Sequence, residues 1–219
     1  MFRCILFDLD GTLCDTLDDL ANATNATLAE AHLPTHPREA YKTMVGNGIT
    51  RLIERALPEA WRQDPELVQA MRRRMLEIYG KHLLDCTRPY PGMAELVESL
   101  SARGAALYVV TNKPQAQAEV IVNTLFPGKF RGVFAQRADK PTKPDPWGIA
   151  LARTEGGFAP EECLFVGDSN VDVETALAGG VACAGVTWGF RSREELTLAG
   201  AAYIADTAEE LARIAHQMP

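Results

Sequence analysis

Cys4-Ile5-Leu6-Phe7-Asp8-Leu9-Asp10-Gly11-Thr12-Leu13 is the stretch on which the fold turns. Its first four residues form a short apolar run, the profile of a strand buried on both faces of a parallel sheet. The run stops at Asp8, and a second carboxylate follows at Asp10. Aspartate is depleted in strands, and in interiors it persists only when paired or bound to metal. Gly11 lets the backbone turn sharply behind the pair. In an open α/β sheet, ligands bind in the crevice outside the carboxyl ends of the strands. Asp8 and Asp10 are therefore expected at a site, beyond any capping of a helix that begins near Asp15 or Thr16.

The same pattern recurs downstream. Ala106-Leu107-Tyr108-Val109-Val110 reads as a second buried strand, followed by Thr111-Asn112-Lys113-Pro114. The Thr111 hydroxyl and the N–H groups of that turn suit a phosphoryl oxygen. As residues alone they suit a helix cap equally well. Glu162-Cys163-Leu164-Phe165-Val166 reads as another strand, and Gly167-Asp168-Ser169-Asn170-Val171-Asp172 follows it. Between these lies Lys140-Pro141-Thr142-Lys143-Pro144-Asp145-Pro146, a loop that its prolines hold extended. Four acids in one crevice, with no basic cluster to balance them, would repel one another. Each pair at ~4 Å costs about 4 kcal/mol at an effective dielectric near 20. A bound cation removes that cost, and an all-oxygen ligand set favours Mg²⁺.

From Asp15 to Arg88 the apolar spacing is helical throughout. Leu17 to Ala31, Ile49 to Ala56 and Leu67 to Tyr79 each present one apolar face. Such a block, placed between the first strand and the next α/β unit, reads as an inserted helical subdomain. The expected division is a core of residues 1–14 and 89–219 with a helical insert of residues 15–88. Inside the insert, Val45-Gly46-Asn47-Gly48-Ile49 opens a helix. Two glycines around Asn47 can present N–H groups to an anion, although a plain turn explains them as well. The strand–helix alternation elsewhere predicts a doubly wound, Rossmann-like parallel sheet.

Composition sets the bounds. The 219 residues are 47% apolar and 23% charged, ordinary for a globular chain. The formal net charge of −7 argues against a nucleic-acid or membrane-surface binder. No apolar stretch approaches the roughly 20 residues of a membrane span. The apolar run near the N-terminus is cut by Asp8 and does not read as a signal peptide. Five cysteines without CxxC spacing argue against a disulfide framework or a zinc site and point to a reducing cytoplasm.

Taken together, the four segments resemble the four motifs of the haloacid dehalogenase superfamily in its phosphatase form, in order and with a cap inserted after the first. The segment Val45-Gly46-Asn47-Gly48 and the Leu52-Ile53-Glu54-Arg55-Ala56-Leu57 that follows are similar to the cap of its phosphoglycolate phosphatases. The resemblance implies a Rossmann-like core under a mobile helical cap, whose loop reaches over the site and helps select substrate. It implies phosphate-monoester hydrolysis through a phosphoaspartyl intermediate. Asp8 would be the nucleophile and Asp10 the general acid and base. Thr111 and Asn112 would hold the phosphoryl group, with Gly46, Asn47 and Gly48 as further substrate contacts. Lys143, preferred to Lys140 for its Lys-Pro-x-Pro context, would neutralise nucleophile and phosphate. Mg²⁺ would be bound by Asp8, Asp168 and the backbone carbonyl of Asp10, supported by Gly11, Ser169 and Asp172, the last orienting Lys143 or the metal shell.

The implied substrate is 2-phosphoglycolate or a similar small phosphorylated metabolite, and the implied assembly a monomer or homodimer. Asp10 argues against a dehalogenase, which lacks that second acid. A sugar-phosphate mutase, a pyrophosphatase or a nucleotidase would share the motifs. A catalytically silent phosphate-binding or interaction protein is the reading outside enzymes.

Overall fold

The computed structural model describes residues 2–217; residue 1 and residues 218–219 of the expected core lie outside the described residues. Contacts group the chain into two compact units. One runs up to Asp15 and resumes at Pro89; the other is Thr16–Arg88.

The chain opens with β1 (Cys4–Phe7), fully buried, and a short β2 (Cys14–Asp15). The second unit follows. It contains α1 (Leu17–Glu30), a 3₁₀ turn at Arg38–Ala40, α2 (Tyr41–Met44), α3 (Ile49–Ala56), α4 (Glu59–Arg62) and α5 (Pro65–Lys81). Two amphipathic helices carry it. Leu17, Leu20, Ala21 and Leu28 of α1 are buried, as are Val68, Met71, Met75 and Tyr79 of α5, each set at helical spacing. Asp64 starts α5 by accepting from the Glu66 and Leu67 amides, with Pro65 at the first helical position. Asn25 ties down the loop after α1. Its side chain bonds the His36 backbone in both directions and accepts from the Tyr41 hydroxyl at 2.6 Å.

The chain then runs through β3 (Arg88–Pro89), α6 (Met93–Ala102), β4 (Ala106–Pro114), α7 (Gln115–Leu125), β5 (Gly132–Gln136) and α8 (Trp147–Gly156). It ends with β6 (Cys163–Gly167), α9 (Asn170–Ala178), β7 (Ala182–Val186), α10 (Arg193–Ala199), β8 (Tyr203–Ala205) and α11 (Ala208–His216). Six strands form one parallel sheet in the order β5-β4-β1-β6-β7-β8. This is the Rossmann-like α/β core expected from the strand–helix alternation. Its interior strands are continuous apolar runs because helices cover both faces.

The strand order positions the site. From β1 the chain goes first to β4 and β5 on one side, then returns to β6 and continues outward on the other. The C-terminal end of β1 is thus a topological switch point, where a crevice opens. Phe7 pairs with both Val109 and Val166. Asp8 follows Phe7 by one residue, and Thr111 and Asp168 follow their partners by two. In-register pairing therefore brings three distant segments to one place. One expectation shifts: the second strand runs through Thr111-Asn112-Lys113 to Pro114, which pairs with Gln136 after a register shift. Pairing to β5 outweighs the weak strand propensity of Asn and Pro.

Candidate active site

Asp8 is 6% exposed, and its backbone amide donates to the Val166 carbonyl at 2.9 Å. Its Oδ1 accepts from the Leu9 amide at 2.7 Å and from Lys143 Nζ at 2.9 Å. Lys143 is equally buried and also donates to Asp172 Oδ1 at 2.6 Å. Asp172 is spanned on its other side: its Oδ2 accepts from the amide and the hydroxyl of Ser169, the residue that caps α9. Asp168 accepts from the Thr12 hydroxyl at 3.0 Å and from the Phe190 amide at 2.8 Å.

Close backbone approach makes this possible. A Cβ on Gly11, which has φ +86°, would stand 2.5 Å from Asp168 Oδ2, and one on Gly189 would stand 2.4 Å from the Asp168 Cβ. Gly11 is needed twice, for its left-handed backbone and for its missing side chain.

Asp8, Asp168 and Asp172 each offer an oxygen within 4.8 Å of the others. Burial pushes Asp8 up to about 6, against the pull of Lys143, and neighbouring carboxylates add to the rise. Asp168 is raised well above the usual carboxylate range, by burial first and by Asp172 and Asp8 next. Burial alone would lower Lys143, but the Asp172 and Asp8 carboxylates outweigh it and hold the ammonium above its ordinary range.

One of the sequence expectations changes here. The four acids are partly balanced after all, by two buried lysines. Lys143 serves Asp8 and Asp172, and Lys113 Nζ bonds Asp10 Oδ1 at 2.7 Å. Asp10 is expected in the metal set through its backbone carbonyl; its carboxylate pairs with Lys113, and the three-carboxylate cluster is Asp8, Asp168 and Asp172. Four carboxylates against two ammonium groups still leave two formal negative charges. That is the charge, and these are the hard oxygen donors, that suit one divalent cation such as Mg²⁺.

The other expected residues fall as follows. Thr111, 5% exposed, lies within β4, three residues before its last, and its Oγ1 accepts from the Lys113 amide. Asn112 directs its side-chain amide to the Lys143 backbone, accepting at 2.8 Å and donating at 3.2 Å. It thereby clamps the Lys143 loop to β4, a task the sequence did not suggest. Gly46, Asn47 and Gly48 belong to the other unit. There Gly46 and Gly48 have positive φ, and Arg55 holds the segment by donating to Asn47 Oδ1 and the Met44 carbonyl.

Residues 5–186 match the family model of the haloacid dehalogenase-like hydrolases. The chain belongs to this family. A phosphoglycolate phosphatase of Haemophilus influenzae strain 86-028NP is 35% identical over 219 residues, covering 97% of this chain and 98% of its own. A crystal structure described as a predicted phosphoglycolate phosphatase from Haemophilus somnus 129PT superposes with a TM-score of 0.90. It is 31% identical, with 97% of each chain covered. CbbY from Rhodobacter sphaeroides, solved in complex with phosphate, gives a TM-score of 0.80 at 25% identity over 96% of both chains. This haloacid dehalogenase-like hydrolase is a phosphatase, similar to proteins named phosphoglycolate phosphatases.

Sequence reading missed Lys113, Thr12 and the Trp188–Phe190 segment. Lys113 stood in plain view beside Thr111 and Asn112, but lysine is a surface residue by default. Trp188 Nε1 donates to the Thr12 carbonyl at 3.1 Å, so both lie on the same wall of the site.

Proposed function

We propose that this phosphatase hydrolyses 2-phosphoglycolate, or a closely similar small phosphate monoester, through a phosphoaspartyl intermediate on Asp8. The observation that carries the reading is the buried Lys143 bridging Asp8 and Asp172, with Asp168 completing a three-oxygen cluster. Leu9 N–H and Lys143 both engage Asp8 Oδ1, which leaves Oδ2 to attack phosphorus. The P–O bond to the leaving group breaks, its electron pair goes to the departing oxygen, and Asp10 supplies that oxygen with a proton. Water then attacks phosphorus, gives its proton to Asp10, and releases phosphate as the bond to Asp8 breaks.

Thr111 and the neighbouring N–H groups hold the phosphoryl oxygens, and Lys143 offsets their charge. Asp8, Asp168 and the Asp10 carbonyl would hold Mg²⁺, with Asp172 fixing Lys143 beside them. When bound, the ion supplies neutralisation of carboxylate and phosphoryl charge. Residues 15–88 serve as the cap, and the Gly46-Asn47-Gly48 loop as its substrate-selecting element. The names of the relatives support the substrate, and the five free cysteines support a reducing compartment, which we take to be the cytoplasm. No helix among the described residues is long and apolar enough to cross a membrane.

The experiment is Mg²⁺-dependent phosphate release over a panel of 2-phosphoglycolate, hexose phosphates, a pentose bisphosphate, nucleotides and pyrophosphate. The expected result is a kcat/KM for 2-phosphoglycolate at least tenfold above every other member. Preference for a sugar phosphate, or interconversion without phosphate release, would move the assignment to a sugar phosphatase or mutase.

A further inference from the structure

We propose that Lys113 is a positioning residue that fixes the Asp10 carboxylate for proton transfer at the ester oxygen; this rests on the phosphatase reading above. Its side chain has no exposed surface, whereas that of Asp10 is 16% exposed, and the two meet at 2.7 Å. An ammonium so thoroughly removed from water is strongly unfavourable unless paired, so the pairing asks for a purpose. Structural bracing is a poor one here. Asp10 sits on a loop already braced by the Leu13 and Cys14 amides donating to the Leu9 carbonyl and by Gly11 N donating to Cys14 O.

The backbone that aims the ammonium is rigid. Asn112 is locked to the Lys143 backbone, the Lys113 amide donates to Thr111 Oγ1, and Pro114 is paired to Gln136. The division of labour follows from the spacing of the acids. Asp8 and Asp10 are two residues apart, and each is engaged through Oδ1 by a different lysine, Lys143 from the loop after β5 and Lys113 from β4. Lys143 orients the nucleophile and Lys113 orients the acid. Being the more exposed partner, Asp10 meets the ester, and Lys113 acts from behind it. A carboxylate that must first donate and then accept one proton gains from a fixed plane, because misplacement of the group is costly in rate.

A proton donor matters for an alkoxide leaving group and little for a nitrophenolate, which supplies the test. Phosphoenzyme formation would be followed by rapid quench at saturating 2-phosphoglycolate and at saturating 4-nitrophenyl phosphate, both with Mg²⁺. The proteins are wild type, Lys113→Met, Lys113→Arg, Asp10→Asn and the Asp10→Asn/Lys113→Met double variant. Lys113→Met is expected to slow formation from 2-phosphoglycolate about 100-fold, and from the nitrophenyl ester at least tenfold less than that. KM should move less than about threefold. The double variant should be no slower than Asp10→Asn alone, the signature of two residues acting as one unit. Lys113→Arg, with charge retained, should recover part of the rate on 2-phosphoglycolate, and it carries the test if the methionine variant does not fold.

Equal slowing on both esters would overturn the proposal, as would additive losses in the double variant. So would a KM rise confined to the carboxylate-bearing ester, which would make Lys113 a substrate contact. Absence of turnover by the wild type on either ester would sink the phosphatase reading itself; turnover without the split would sink only the role of Lys113.

Discussion

Asp168 owes its orientation to groups that are not themselves reactive. Thr12 Oγ1 and the Phe190 amide each hold one of its oxygens, and Gly11 and Gly189 leave the room for it. Thr12 is fully buried, so Thr12→Val keeps the shape and removes one hydrogen bond. Partners of this kind tune metal affinity by about 10- to 100-fold. Thr12→Val is expected to raise the Mg²⁺ concentration for half-maximal activity by that factor, with a smaller change in kcat at saturating Mg²⁺. A titration of activity against Mg²⁺ reads it, and an unchanged midpoint would remove Thr12 from the account. Residues such as Asp8, Asp168 and Lys143 could be singled out from sequence because carboxylates after apolar runs, or a lysine between prolines, break a pattern. Thr12 and Lys113 break none. Their importance arises only when β1, β4 and β6 align.

Helices and strands differ in how much of themselves they announce. α1 and α5 were readable because 14 and 17 residues give several turns of apolar period. α2 and α4, four residues each, carry no such signal and form where the chain bends between longer elements. The end of β4 was misplaced because its partner strand, not its own composition, extends it. Within Thr16–Arg88 the buried Asp19 closes the unit's two ends onto each other. It accepts from the Cys86 and Thr87 amides and from the Thr87 hydroxyl at 2.7 Å. Hydrogen bonds to a buried charge contribute about 1.5–3 kcal/mol each on deletion. Asp19→Asn, which retains one acceptor, is expected to cost about 2–4 kcal/mol in urea unfolding, with loss of hydrogen-exchange protection at Cys86 and Thr87. A cost below about 0.5 kcal/mol would contradict the anchoring role.

At the scale of the molecule, an acidic chain of net charge −7 concentrates uncompensated negative charge at the switch point of its sheet. Strand–helix alternation and four ordered motifs made the fold class and family legible. The order β5-β4-β1-β6-β7-β8 was not, because it depends on pairing between distant segments. The charge has a consequence for stability. Asp8 titrates near 6 when buried, against an ordinary value of 3.8, so folding favours its protonated form. Its contribution is present in full below about pH 4 and is lost as the pH rises through 6; Asp168 shifts in the same direction. Cation binding needs the ionised forms and so strengthens over the same range. Thermal melts with and without one fixed Mg²⁺ concentration, about 100 times the dissociation constant at pH 7.5, should differ little at pH 5 and by about 5 °C or more at pH 7.5. A pH-independent difference would mean that the ion binds elsewhere.

The central claim, covalent catalysis at Asp8, is tested most directly by acid-quenching the enzyme during turnover of ³²P-labelled 2-phosphoglycolate with Mg²⁺ and mapping the labelled peptide. Wild type should carry acid-stable, hydroxylamine-labile label on the peptide containing Asp8. Asp10→Asn should retain more of it than wild type once formed, because release by water is slowed, and Asp8→Asn should carry none while losing at least about 1,000-fold in rate. Turnover by Asp8→Asn at near the wild-type rate, or label mapping to any other residue, would contradict it.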